Sequence, residues 1–100
     1  MSASDQVGGR IVFENDRVRV WDDAVAPGET QHLHTHVLPY LAITVAGRSA
    51  ETIDGSGAVI RTYEITPGEV FWFGPDQLPA THALRNTGDV EISVVIVEFL

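Results

Sequence analysis

The sequence predicts an all-β domain, a sandwich or barrel of nine or ten short strands. Three observations carry that reading. Apolar and polar residues alternate with a period of two along nearly the whole chain, as strands with one buried face require. Turn-forming residues, including two Pro-Gly dipeptides, interrupt the alternation at short intervals. No window of ten or more residues carries the 3.6-residue period of an amphipathic helix. One hundred residues leave room for a single domain. The polar, glycine-containing residues 1–9 read as an N-terminal tail and 10–100 as the domain.

Residues 11–14 (IVFE) and 17–21 (RVRVW) are expected strands, separated by the turn signal Asn15-Asp16 and continuing to about Val25. Pro27-Gly28 turns the chain into 30–36 (TQHLHTH) and 38–46 (LPYLAITVA), where Pro39 implies a bend or an edge. Strands 49–53 and 58–65 flank Asp54-Gly55-Ser56-Gly57, a hairpin connection. Pro67-Gly68 precedes strand 69–73, and 74–80 (GPDQLPA) is irregular. Strands 81–86 and 90–99 close the chain around Thr87-Gly88-Asp89. The last of these, VEISVVIVEFL, is apolar on both faces through its middle. One face fills a core, and a second subunit is the simplest cover for the other, so a homodimer is expected.

Fourteen acidic residues against six arginines, with no lysine, give a net charge of −8. That balance argues against nucleic-acid partners and against docking to anionic membranes, both of which need clustered cations. The absence of cysteine excludes disulfides, thiolate ligands and a cysteine nucleophile. No signal peptide or membrane span is legible, which makes the cytoplasm the expected location. The expected partner is a small-molecule substrate.

The chemistry of the chain concentrates in four histidines, His32, His34, His36 and His82. Three sit at alternate positions of one expected strand and so share a face. Neighbours at i and i+2 are about 6.5–7 Å apart at the backbone, close enough for two imidazoles to reach one ion with bonds of about 2.0–2.1 Å. His32 and His36 are roughly 13 Å apart along a straight strand, so one adjacent pair plus His82 makes the expected site. The same spacing also describes a pH-responsive patch.

Around these residues the sequence resembles the small single-domain cupins. The first cupin motif, G-x5-H-x-H-x3,4-E-x6-G, is matched by Gly28, His34, His36 and Gly47 at every spacing, with Tyr40 in place of the glutamate. The second, G-x5-P-x-G-x2-H-x3-N, is matched by Gly68 at its start and by His82 and Asn86 at its end. Its middle departs: Pro75 or Pro79 must stand for the proline, the second glycine is absent, and the loop is longer. The resemblance covers about residues 17 to 99. It implies a double-stranded β-helix, or jelly-roll, barrel that is often dimeric. It also implies one divalent transition metal held by His34, His36 and His82, with His32 outside the ligand set.

Cupins resembling this three-histidine pattern include thiol and diketone-cleaving dioxygenases. The favoured expectation is therefore a non-haem Fe(II) dioxygenase, an oxidoreductase acting on a small chelating substrate. Zinc, nickel, copper and manganese suit the same donors, so a lyase or isomerase that does not use oxygen, or a noncatalytic binding module, remain the alternatives. Tyr40 is expected near the open metal positions, as ligand or as a phenol hydrogen-bonded to water or substrate. His32 is a candidate general acid or base on the same strand face, or a rim residue in water. Arg17 and Arg19 are expected in surface ion pairs or, less simply, on a carboxylate. Arg85 should point away from His82 by strand parity, and Asn86 should serve a turn.

Overall fold

The alternating pattern becomes nine antiparallel strands among residues 4–100, which the computed structural model describes; residues 1–3 of the expected tail lie outside them. The strands are β1 (Arg10–Glu14), β2 (Val18–Val25), β3 (His34–His36), β4 (Tyr40–Ala46) and β5 (Ser49–Ile53). Then follow β6 (Val59–Glu64), β7 (Val70–Phe73), β8 (Ala80–Asn86) and β9 (Ile92–Phe99). A short 3-10 turn at Pro75–Gln77 occupies the expected irregular segment. The strands make a five-stranded sheet ordered β1-β2-β9-β4-β7 and a four-stranded sheet ordered β3-β8-β5-β6. This is the jelly-roll arrangement of two antiparallel sheets. No helix among the described residues is long and apolar enough to cross a membrane.

The core lies between the sheets and draws on Trp21, Val25, Tyr40, Ala50, Ile92, Val94 and Ile96. On β9 the residues Ile92, Val94, Ile96 and Glu98 are buried at every second position. Glu98 is the exception in kind, and it is satisfied: the Trp21 indole N–H donates to it at 2.6 Å, and Arg19 lies 3.7 Å away. Arg19 also pairs with Glu14 at 2.8 Å, so it serves an ion pair and not the interior. Val7, from the segment before β1, is 2% exposed and joins the core.

The other face of the five-stranded sheet is apolar too. The cross-strand register sets Phe13, Val20, Val97, Leu41 and Trp72 in one row, and Val95, Ile43 and Val70 in the next, where the Arg10–Asp22 ion pair fills the β1 and β2 positions. Phe13, Val70 and Trp72 are each more than half exposed.

Strand 30–36 is shorter than its pattern implies. Only His34–His36 is regular, and Thr30 keeps an isolated bridge to Arg85. The reason is a substitution in the ladder. Gln31 N–H donates to the Leu84 carbonyl, but the Leu84 N–H is taken by the Gln31 side-chain oxygen at 2.9 Å. Ser4 then inserts beside β3, donating to the Leu33 carbonyl and accepting from Thr35 N–H at 2.7 Å.

The two Pro-Gly turns are structural equivalents. Gly28 has φ +80° and Gly68 φ +90°, values that favour glycine. Glu29 N–H donates to the Ala26 carbonyl at 3.0 Å, and Glu69 N–H to the Thr66 carbonyl at 3.1 Å. Each is a tight turn with glycine at its third position, as the type II geometry demands.

Candidate metal centre

His34 and His82 face each other directly across the β3–β8 ladder, and His36 lies two residues along β3 on the same face. Sheet geometry alone therefore brings three imidazoles together. Their ring centroids are 4.8–5.0 Å apart. One nitrogen from each lies within 4.8 Å of the others, and the cluster could hold a metal ion.

The donors are in the state that coordination needs. Burial is the main cause of lowered pKa at all three. His36, with His34 and His82 adding to the effect, is pushed down to about 2. His82, beside His34, falls to about 4. His34 is lowered as well, with its hydrogen bond to His32 opposing the trend. All three are neutral near pH 7. The His34 Nδ1–H donates to the His32 carbonyl at 3.1 Å, which leaves Nε2 with the lone pair. A backbone acceptor that fixes tautomer and ring orientation is a usual companion of a ligating histidine.

His36 supplies the test of fit. Its Nδ1 is sealed from water and has no hydrogen-bond partner, in a residue that is 1% exposed. Such an orphan costs about 1–3 kcal/mol. Together, the unpartnered nitrogen, the neutral donors and their convergence fit a divalent metal bound by His34, His36 and His82.

Tyr40 enters from the facing sheet. Its ring stacks on His36, with centroids 3.8 Å apart and planes 12° apart, and on Phe73, with centroids 4.6 Å apart. Tyr40 is 2% exposed, and burial pushes its phenol well above the usual value, so it stays protonated. The glutamate position of the motif is thus filled by a ring packed flat against a candidate ligand.

The trio and Tyr40 line a cavity of about 280 Å³ whose remaining wall is mostly apolar and aromatic. The structure does not bring His32 to that wall. His32 is exposed, and its Nε2 lies 2.7 Å from the Gln6 carbonyl. Arg85 points to the opposite face from His82, as parity requires, and lies 3.4 Å from Glu51. Asn86 is a clamp: its amide donates to the Val25 and Val90 carbonyls, both at 2.8 Å, and its oxygen accepts from Gly88 N–H. Sequence reasoning missed Arg61, which lines the cavity. The alternation of Arg61 and Tyr63 on β6 was the available signal.

Neither a protein-family model nor a curated protein matches the sequence. Solved structures match along most of the chain. A cupin domain from Bordetella pertussis Tohama I superposes with a TM-score of 0.77 at 20% identity, covering 100% of this chain and 98% of that one. A polyketide cyclase from Streptomyces resistomycificus matches with a TM-score of 0.64 at 17% identity, over 90% of this chain and 62% of the cyclase. A DMSP lyase from Ruegeria pomeroyi DSS-3 also gives 0.64, at 14% identity, over 86% of this chain and 40% of the lyase. With the two sheets and the three-histidine cluster, these matches define a small cupin-fold protein.

Proposed function

We propose that the chain is a metal-dependent enzyme acting on a small chelating ligand, and that a non-haem Fe(II) dioxygenase is the form to test first. The observation that carries the reading is the orphaned Nδ1 of His36 within three neutral, convergent imidazoles on a mostly apolar cavity. A bound ion supplies electron transfer to dioxygen where it is iron, and Lewis-acid polarisation where it is zinc, nickel or manganese.

The protein's own groups have separate tasks. His34, His36 and His82 hold the ion without cancelling its charge, so an anionic or enolisable chelator is favoured over a neutral one. Tyr40 is a positioning residue: its flat contact with His36 fixes the plane of that imidazole. Its protonated hydroxyl is available to donate to a ligand oxygen. The aromatic wall shields the histidine end of the cavity from bulk water.

A non-oxidative lyase, isomerase or cyclase is the second reading. It is favoured by the fold shared with a lyase and a cyclase, which is analogy and not chemistry.

Metal content of untagged protein purified without chelator, read by mass spectrometry, tests the site. We expect about one equivalent of a divalent transition metal, lost in His82→Ala and His36→Ala. Full occupancy in each single-histidine variant would refute the assignment. Iron together with oxygen uptake on small chelating acids, diketones or thiols supports the dioxygenase. Zinc, nickel or manganese with anaerobic turnover supports the second reading.

A further inference from the structure

One residue of the cavity wall stands apart by charge. Arg61 of β6 pairs in register with Thr52 of β5, and Thr52 pairs with Leu84 of β8; all three line the cavity. That row adjoins the row holding His82 and His34. On a flat sheet the Arg61 backbone is about 12 Å from that of His82, from the strand spacing and rise. Two aromatic faces hold the guanidinium, with Cζ 5.3 Å from the ring centroids of both Tyr63 and Phe71. Such contacts attract a cation and pre-set its direction.

No ion pair among the described residues neutralises it. Ion pairs among the described residues engage Arg10, Arg19, Arg48 and Arg85. Arg61 enters none of them. No Asp or Glu among the described residues lines the cavity. A chain of net charge −8 thus carries a cavity lined by a cation, three imidazoles and, among the described residues, no anion. Arg61 and Ile60 are exposed as well as lining the cavity, so the cavity meets solvent at β6.

We propose that Arg61 is the specificity residue of this site and that the ligand is a small organic acid. Its carboxylate pairs with the guanidinium at the mouth, its short apolar stem lies along the aromatic wall, and a second oxygen donor points to the histidine end. The placement of that second donor rests on reading the trio as a metal site; the carboxylate contact does not. The planar fork of arginine matches a carboxylate with two parallel hydrogen bonds. The cavity volume of about 280 Å³ suits a short acid.

The test uses the full chain, metal-free, with levulinate and its uncharged methyl ester as probes. Binding is followed by NMR at the Arg61 side-chain N–H and the Tyr63 and Phe71 rings. Levulinate should bind wild-type protein about tenfold or more tighter than the ester. Arg61→Gln should erase that preference, and Arg61→Lys should restore it only in part. β6 is an exposed edge strand, so both variants should keep the wild-type melting temperature. Equal affinity for acid and ester in wild-type protein, which needs no variant, would overturn the proposal. So would wild-type levulinate affinity in Arg61→Gln. Titration of each protein with Zn(II) by calorimetry separates the two readings. Failure of wild-type protein to bind zinc counts against the metal centre, while the acid–ester difference still decides Arg61.

Discussion

An imidazole held away from water resists protonation, and three of them side by side resist it further. The consequence can be signed. His36 and His82 have folded pKa values of about 2 and about 4, below the unfolded value of about 6.5. Below pH 6.5 the unfolded chain binds protons that the folded one refuses, so stability falls as pH falls. The loss begins near pH 6.5 and continues through the folded pKa of His82. Metal-free protein should therefore melt at progressively lower temperature from pH 7 to pH 4.5, as calorimetry would read. His36→Gln should flatten that slope, and an unchanged slope would contradict the burial argument. The trio itself was legible in the sequence, because alternate residues share a face and the motif spacing selected His34 and His36. The stacking of Tyr40 was not. It depends on which residue of the opposite sheet arrives above His36, and no local pattern encodes that.

Strand identity and order of appearance were legible because turn residues and alternation are local properties. Ladder detail was not. The break at residues 30–33 arises from one glutamine side chain taking the place of a backbone carbonyl against Leu84, and glutamine carries no such signature. Arg61 escaped notice for a similar reason, since its parity shows a face but not that β6 borders the cavity. Asn86 illustrates how one residue joins elements. It ties the end of β8 to the Val25 carbonyl at the end of β2 and to Val90 ahead of β9. Asn86→Ala would leave one buried and one half-buried carbonyl without donors, a cost of about 3 kcal/mol. A domain of this size should then melt roughly 10 °C or more lower. A drop of under 2 °C, read by circular dichroism, would show that water replaces the clamp.

At the scale of the molecule, the apolar outer face of the five-stranded sheet is the feature the fold itself leaves without cover. Five strands at about 4.8 Å and six residues at about 3.4 Å give a face of roughly 500 Å² in projection. Side-chain relief brings that toward the ~800 Å² per partner of a standard interface. A second copy is the occupant we propose, since a flat apolar sheet face is self-complementary about a two-fold axis. Sedimentation equilibrium should give a dimer for wild-type protein and a monomer for Trp72→Glu. A monomeric wild type at high concentration would exclude the pairing.

The two tryptophans lie on opposite sides of that same sheet. Trp21 is 8% exposed beneath it, its indole fixed to Glu98, and Trp72 is 55% exposed above it. The chain therefore carries two optical probes of different meaning. Emission from Trp21 follows the integrity of the interior, and quencher access to Trp72 follows whatever covers the outer face. Replacing either with phenylalanine separates folding from assembly in a single cuvette, without a label.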